Sequence, residues 1–135
     1  MIVTDDERLF YSMAAYEIRC SERYRRFFSV IFMTSDHGGN GSVKLKEFLS
    51  ESLRESDVCT EFEGHTGIIM CETDKDSALE AVKRLGRLQY GLVDVRSSIA
   101  SFPEDGTTYR NILQKASNRL HEAKRRERGA IVTDE

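Results

Sequence analysis

A predicted β-hairpin near the middle of the chain constrains the fold most. Val58–Phe62 and Ile68–Met70 are apolar-rich runs, and the connection between them, Gly64-His65-Thr66-Gly67, has a glycine at each end. Glycine readily adopts the positive φ angles that short hairpin turns require. The segment is therefore predicted to form two antiparallel strands joined by this glycine-bounded turn.

The composition is that of a single soluble domain. The chain has 135 residues, of which 39% are hydrophobic and 32% charged. Folding a chain of this size buries roughly two-thirds of its unfolded surface, so a self-sufficient core is feasible. No apolar run approaches the roughly 20 residues needed to cross a bilayer, and the acidic start lacks the apolar segment of a signal peptide. We expect one cytoplasmic domain over residues 1–135, without membrane insertion.

Charge and cysteine content exclude several classes of function. The net charge of −3 argues against general nucleic-acid binding, and the basic runs Arg19–Arg26 and Lys124–Arg128 are typical of solvated helix faces. The three cysteines, Cys20, Cys59 and Cys71, are odd in number and have no C-x-x-C spacing. We therefore expect free thiols in a reducing compartment, with neither disulfides nor a structural metal.

Hydrophobic spacing predicts the elements on either side of the hairpin. Apolar residues three and four positions apart predict helices over Asp5–Arg26, Val43–Glu55 and Lys75–Leu88, and a last helix capped by Thr107 or Thr108. The buried face of that last helix is predicted to be Tyr109, Ile112, Leu113, Ala116, Leu120 and Ala123. Strands are predicted at Phe27–Met33, Leu92–Phe102 and Ala130–Val132. This order favours an α+β fold with helices packed on a mostly antiparallel sheet.

Three polar features have both a functional and a plain structural interpretation. Arg54-x-x-Asp57 could meet the base edge and phosphate of a nucleotide, or form a surface ion pair worth at most about 1 kcal/mol. The Gly38–Gly41 segment resembles a phosphate loop only in composition, so a connector is the simpler interpretation. His65 has no His or Cys partner close in sequence, so an exposed turn histidine is expected rather than a metal ligand.

Several motifs resemble the GGDEF domain, the diguanylate cyclase fold. The segment SIASFPEDG, Ser98–Gly106, is similar to the family's strand and turn S-I-G-x-A-x-x-P-x-D-G, and Ala116–Lys124 is similar to its A-D-x-A-L-Y-x-A-K helix. Leu53–Asp57 is similar to the segment before the family's signature hairpin. The resemblance extends from about Phe10 to Val132. It implies a nucleotidyl cyclase-like α+β fold with about five strands flanked by helices.

The catalytic signature of that family is replaced in this sequence. Aligned without a gap, Glu63-Gly64-His65-Thr66-Gly67 stands where the family has GGDEF, and the alternative register is Phe62–Thr66. The family's metal-binding D-x-D appears as Thr34-Ser35-Asp36. Cyclase chemistry is phosphoryl transfer that depends on divalent metals held by carboxylates. The resemblance therefore implies a degenerate domain without bound metal, and we expect no diguanylate cyclase activity.

One ligand site of the family is matched. The family's inhibitory site for cyclic di-GMP is an R-x-x-D five residues before the signature, which Arg54 and Asp57 match, and Arg84 matches the arginine that joins it from the next helix. Arg54 could grip a guanine O6/N7 edge or a phosphate, and Asp57 could accept from guanine N–H groups. Arg84 could add phosphate or stacking contacts. The resemblance thus implies a bacterial cyclic di-GMP receptor that signals to a downstream protein partner or acts as a homodimer.

Two alternatives remain open at this point. Lys124 and Arg128 match positions that contact substrate phosphates in the family, which would suit a GTP-binding pseudoenzyme. Without metals they would bind phosphate only weakly or cap the helix C-terminus. The other alternative is an interaction or dimerisation module that has the fold but no nucleotide ligand. Tyr11, Tyr16 and Tyr24 are interpreted as core or interface aromatics rather than base-stacking platforms.

Overall fold

A single sheet with helices on both faces organises the chain. The computed structural model describes residues 2–4, 6–35, 49, 53–62, 64–87 and 95–134. Along these residues lie β1 (Ile2–Thr4), α1 (Glu7–Tyr24), β2 (Phe28–Ser35), β3 (Val58–Phe62), β4 (His65–Cys71), α2 (Lys75–Arg87), β5 (Val95–Phe102), α3 (Tyr109–Ala123) and β6 (Ile131–Val132). The strand order is β1-β3-β4-β2-β5-β6.

The sheet is antiparallel at its centre and parallel at its edges. The pairs β3–β4, β4–β2 and β2–β5 are antiparallel, whereas β1 runs parallel to β3 and β6 runs parallel to β5. The predicted α+β class with a mostly antiparallel sheet is confirmed. The described sheet has six strands rather than about five, because β1 adds a short edge strand that the sequence did not predict.

Strand β2 is buried on both faces, as its almost continuous apolar run, broken only by Ser29, predicts. Phe28, Val30 and Phe32 contribute to the hydrophobic cluster on one face, and Ile31 and Met33 to the cluster on the other. Side chains alternate between the faces of a strand, so only a strand covered on both sides can be apolar at every position. β2 therefore lies at the centre of the hydrophobic core and contributes side chains to the clusters on both faces of the sheet.

The first face of the sheet is covered by α1 and α3. Phe10, Ala14 and Ile18 project from α1, and Ile112, Ala116 and Leu120 from α3. Thr108 caps α3, since its hydroxyl accepts the backbone N–H of Asn111 at 3.2 Å. The predicted buried face of α3 is confirmed, with Tyr109 half-buried at its start.

The second face is covered by α2, through Ala78, Val82 and Leu85. The predicted helix Val43–Glu55 lies mostly outside the described residues. Its Leu49 is fully buried in the second-face cluster, and its last residues, 53–55, belong to a bend and turn. The Gly38–Gly41 connector also lies outside the described residues. No helix in the described part of the chain is long and apolar enough to span a membrane.

The hairpin is present, but its turn is tighter than predicted. Phe62 pairs with His65, so only residues 63 and 64 connect the strands, and Gly64 supplies the positive φ of 87°. Gly67 lies inside β4, paired with Thr60 and Phe32, so its assignment to the turn is wrong. A Cβ atom at Gly67 would lie 2.7 Å from Cε2 of Phe62. Close approach of aromatic rings, rather than a turn, therefore requires this glycine.

Candidate functional site at the foot of the hairpin

The structure brings the three predicted ligand residues together around one cavity. Arg54, Asp57 and Arg84 all line a space of about 500 Å³ between the segment that leads into β3 and one side of α2. Apolar residues of the second-face cluster form part of its wall, including Met70 and Leu85. The cavity is therefore open to solvent at a charged mouth and closed by the core beneath.

Arg54 is anchored at one end of its guanidinium. Its Nη2 donates to the carbonyl oxygen of Cys71 at 3.0 Å and to Oγ1 of Thr73 at 2.9 Å. The side chain is nevertheless 59% exposed. These bonds tie Arg54 to the end of β4, and its half-exposed side chain lies at the cavity mouth.

Asp57 faces its own chain rather than solvent. Its side chain is 2% exposed, its Oδ2 accepts the backbone N–H of Arg54 at 2.9 Å, and its Oδ1 lies 3.5 Å from Nη2 of Arg54. The backbone N–H of Asp57 in turn donates to the carbonyl of Arg54 at 3.1 Å. Asp57 thus closes a short turn and orients Arg54. The predicted contact between Asp57 and a guanine edge stays a prediction, and it would require this carboxylate to turn outward.

Arg84 is an exposed residue on the cavity side of α2. Asp76, Glu80 and Arg84 are spaced by four residues, so they occupy one face of the helix, and all three line the cavity. Within the described ranges Arg84 has no hydrogen-bond or ion-pair partner. The mouth therefore combines guanidinium donors with carboxylate acceptors, which suits a ligand carrying both anionic groups and N–H donors.

The described residues at the hairpin tip, Thr34 and residues 64–66, carry no carboxylate. Thr34 Oγ1 donates to the carbonyl of Gly64 at 3.0 Å, and Thr66 is buried. The His65 ring stacks on Phe62 at 4.8 Å and 5°, and lies 4.6 Å from the Phe32 ring. His65 is half-buried by these rings, so the expectation of an exposed turn histidine is wrong.

The divalent metals of the family's cyclases do not suit the described positions of its metal-binding motifs, Thr34, His65 and Thr66, whereas Asp36 and Glu63 lie outside the described residues. The described residues contain no group of three or more His, Cys, Asp and Glu side chains that could hold one. Magnesium prefers several hard oxygen ligands, and Thr34, His65 and Thr66 supply none that is charged.

Lys124 and Arg128 lie elsewhere, beyond the last turn of α3. Both are exposed, and neither lines the cavity at the foot of the hairpin. Lys124 forms the C-cap of α3, where its backbone N–H donates to the carbonyl of Leu120 at 3.0 Å. This bond involves the backbone only, so capping by the Lys124 side chain and phosphate binding by either residue stay predictions.

A buried ionic network was missed by the sequence analysis. Arg119, only 4% exposed, donates from Nη2 to Oδ1 of Asp105 at 2.9 Å and from Nη1 to the carbonyl of Ile99 at 2.8 Å. Lys75 Nζ reaches the same Asp105 oxygen at 3.0 Å, and Ser101 N–H donates to Asp105 Oδ2 at 2.8 Å. Burial alone would raise the pKa of Asp105, but the hydrogen bonds from Arg119, Ser101 and Lys75 lower it. The sequence did contain a signal for this network: Arg119 stands next to the predicted apolar face of the last helix, where a charged side chain needs a buried partner.

Comparison with known proteins identifies the fold. No protein-family model and no curated protein matches the chain. Among solved structures, the GGDEF domain of YfiN (TpbB) from Pseudomonas aeruginosa superposes with a TM-score of 0.82 at 19% identity, covering 95% of this chain and 94% of that one. The active GGEEF domain of a diguanylate cyclase from Vibrio cholerae gives 0.77 at 14% identity, covering 93% and 94%.

A third similar structure is a microbial GGDEF domain described in an interaction with cyclic di-GMP. Its TM-score is 0.79 at 18% identity, with 97% of this chain and 90% of that one covered. The chain therefore has the GGDEF-domain fold. At these identities the likeness concerns the fold, and function must be argued from the site.

Proposed function

We propose that this chain is a catalytically inactive GGDEF-fold domain that binds cyclic di-GMP and passes the bound state to a protein partner. The observation that carries the proposal is the convergence of Arg54, Asp57 and Arg84 on one cavity. Arg84 lies 27 or more residues away from the other two in the chain, and it is exposed at the same mouth. The third similar structure, the domain described with cyclic di-GMP, supports this ligand.

Each residue has a distinct role in the proposed complex. Arg54 and Arg84 donate to phosphate oxygens or to a guanine O6/N7 edge, for which a planar guanidinium is suited. Asp57 acts as a positioning residue that holds Arg54 in place. The carboxylates of Asp76 and Glu80, on the same wall as Arg84, can accept the N1–H and N2–H groups of guanine.

Calorimetric titration of the purified chain with cyclic di-GMP tests the ligand. Arg84→Ala is the informative variant because Arg84 has no partner within the described ranges, so its loss should leave the fold intact. Losing a charged hydrogen-bond donor costs about 1.5–3 kcal/mol, which corresponds to a roughly tenfold to hundredfold weaker affinity.

Arg125→Ala is the matched control, since Arg125 is an exposed helix-end arginine that pairs with Glu122 and does not line the cavity. The affinity of Arg125→Ala for cyclic di-GMP should equal that of the unmodified chain. Absence of heat and of any shift in melting temperature at high-micromolar ligand would refute the proposal, as would equal binding by Arg84→Ala.

The proposed absence of cyclase activity rests on the hairpin tip. Phosphoryl transfer needs divalent metals that neutralise charge on the triphosphate, and the described residues of the tip, Thr34, His65 and Thr66, offer hydroxyls and a stacked imidazole. Incubation with GTP and Mg²⁺ or Mn²⁺, followed by chromatography, is expected to yield no cyclic di-GMP. Formation of the dinucleotide above the background of a protein-free sample contradicts this part of the proposal.

A second candidate function is an interaction or dimerisation module without a nucleotide ligand. It is favoured by the buried, intramolecular pairing of Asp57 with Arg54. The most exposed aromatic side chains on and just after α1, those of Tyr16, Tyr24 and Phe27, offer a contact surface. Sedimentation velocity with and without cyclic di-GMP separates the candidates, because this module would self-associate in a ligand-independent way.

A further inference from the structure

A second cavity, of about 510 Å³, lies on the first face of the sheet, near the hairpin tip. Its apolar wall consists of five aromatic or imidazole rings from α1, β2, the hairpin and the start of α3: Tyr11, Phe32, Phe62, His65 and Tyr109. This volume lies within the range of small-molecule sites, roughly 300–1,000 Å³. The cavity shares no lining residue with the one at the foot of the hairpin.

Four rings of this wall contact one another, and because Phe32 and Phe62 are buried, a ligand would meet mainly Tyr11 and His65. The His65 and Phe62 rings are parallel, with centroids 4.8 Å apart, and the Tyr11 ring is 6.1 Å from Phe62. Tyr11 is 39% exposed, so the surface is accessible from solvent at the α1 side. Such a surface favours planar ring systems, which gain stacking energy at little cost in conformational entropy.

The polar groups of the cavity come from one side of α3. Arg110, Gln114 and Ser117 follow one another at spacings of four and three residues, and all three are exposed. The Nε of Arg110 lies 3.4 Å from Oη of Tyr109, and among the described residues its two terminal nitrogens have no hydrogen-bond partner. Arg110 brings a guanidinium to the described lining, and a guanidinium pairs well with an anionic group.

We propose that this cavity binds a small planar heteroaromatic molecule with one anionic group, of the nucleoside monophosphate class. The base lies against the Tyr11–His65 wall, the phosphate pairs with Arg110, and Gln114 and Ser117 provide hydrogen-bonding groups along α3. The stacking wall selects a planar ring, the guanidinium selects the anion, and the volume limits the ligand to about one nucleotide.

Titration of the ¹⁵N-labelled full chain with 5′-AMP, monitored by NMR, tests this assignment, with adenosine as the neutral counterpart. Saturable shifts are expected at the amides of His65, Arg110 and Ser117, with AMP binding at least about tenfold tighter than adenosine because of the charged contact. Arg110→Ala should reduce AMP binding to the level of adenosine and leave adenosine binding unchanged. Ser117→Trp, which fills the cavity from the exposed side of α3, should abolish both.

Arg84→Ala is the control that separates the two cavities, and it should bind AMP normally. The proposal is overturned by an absence of saturable shifts at about 5 mM AMP, a limit equivalent to about 3 kcal/mol of binding energy. Unchanged AMP affinity in Arg110→Ala, or shifts confined to the surroundings of Arg84, would overturn it equally. Indole-3-acetate, a planar carboxylate that is not a nucleotide, is titrated in parallel. If it binds in an Arg110-dependent way and AMP does not bind, the proposal of a nucleotide ligand is overturned.

Discussion

Gly67 shows how a single missing side chain decides the packing at the hairpin. The space that a Cβ atom would occupy is bounded by the rings of Phe62, Phe10 and Phe32, the nearest of them at 2.7 Å. These rings also contact one another, with the Phe10 and Phe62 centroids 5.1 Å apart. The aromatic wall of the second cavity therefore depends on a glycine that no ligand would touch.

Substitution Gly67→Ala should destabilise the protein by about 1–3 kcal/mol, because the added methyl overpacks a buried aromatic cluster. Urea denaturation followed by circular dichroism measures the loss. Gly64→Asn is the matched control, since open space surrounds Gly64 and asparagine tolerates positive φ. A Gly67→Ala protein as stable as the unmodified chain would show that the rings can move apart freely.

At the scale of elements, the buried network of Lys75, Asp105 and Arg119 connects α2, the turn after β5 and α3. Asp105 is the acceptor shared by the two cations, and Arg119 also fixes the β5 carbonyl of Ile99. The network therefore sets the positions of α2 and α3, the helices that carry Arg84 and Arg110, against the same strand.

Replacing Asp105 with Ala should cost about 3–5 kcal/mol, since it leaves the buried guanidinium of Arg119 without its counter-ion. Guanidinium denaturation gives the free energy of unfolding. Glu104→Ala is the control: Glu104 is exposed, lies 3.8 Å from Lys75, and should contribute less than about 1 kcal/mol. If Asp105→Ala and Glu104→Ala lost equal amounts of unfolding free energy, the buried carboxylate of Asp105 would not be needed as the counter-ion of Arg119.

Long periodic elements were predictable from the sequence, and short or context-dependent ones were not. The helices over Glu7–Tyr24, Lys75–Arg87 and Tyr109–Ala123 each repeat apolar residues over several turns, so their prediction was confirmed to within about two residues. The strand Ile2–Thr4 is too short to show any periodicity. Gly64 and Gly67 look alike in sequence, and only the rings packed around Gly67 distinguish it from a turn residue.

The candidate site, too, was predictable from the sequence only in part. That Arg54, Asp57 and Arg84 would lie together was predictable from motif spacing and resemblance to a family. The burial of Asp57 was not, because it depends on a turn that directs the carboxylate towards the backbone of Arg54. The second cavity was also beyond prediction, since Tyr11, His65 and Arg110 are far apart in the chain and meet only through the sheet.

For the whole molecule, the lowered pKa of Asp105 predicts acid sensitivity. A carboxyl whose pKa is lower in the folded than in the unfolded state stabilises the fold when ionised. The stabilisation by ionised Asp105 is fully present above its ordinary pKa of 3.8. It is lost as the pH falls through the lower pKa that Asp105 has in the folded protein. The stability difference between the unmodified chain and Asp105→Asn should therefore be constant from pH 7 to about 5 and shrink below about 4. Urea midpoints across this range provide the measurement, and a difference that does not change with pH would contradict it.

The β3–β4 hairpin is a wall shared by both cavities. Met70 of β4 lines the cavity at the foot of the hairpin, whereas Phe62 and His65 line the cavity near its tip on the opposite face of the sheet. Two ligands could therefore occupy the molecule together without touching. Thermodynamic linkage then requires reciprocity: if an occupant of one cavity changes the affinity of the other by some factor, the second occupant changes the first affinity by that same factor. If the two sites are coupled, the β3–β4 hairpin is a described element that lines both cavities and could carry the coupling.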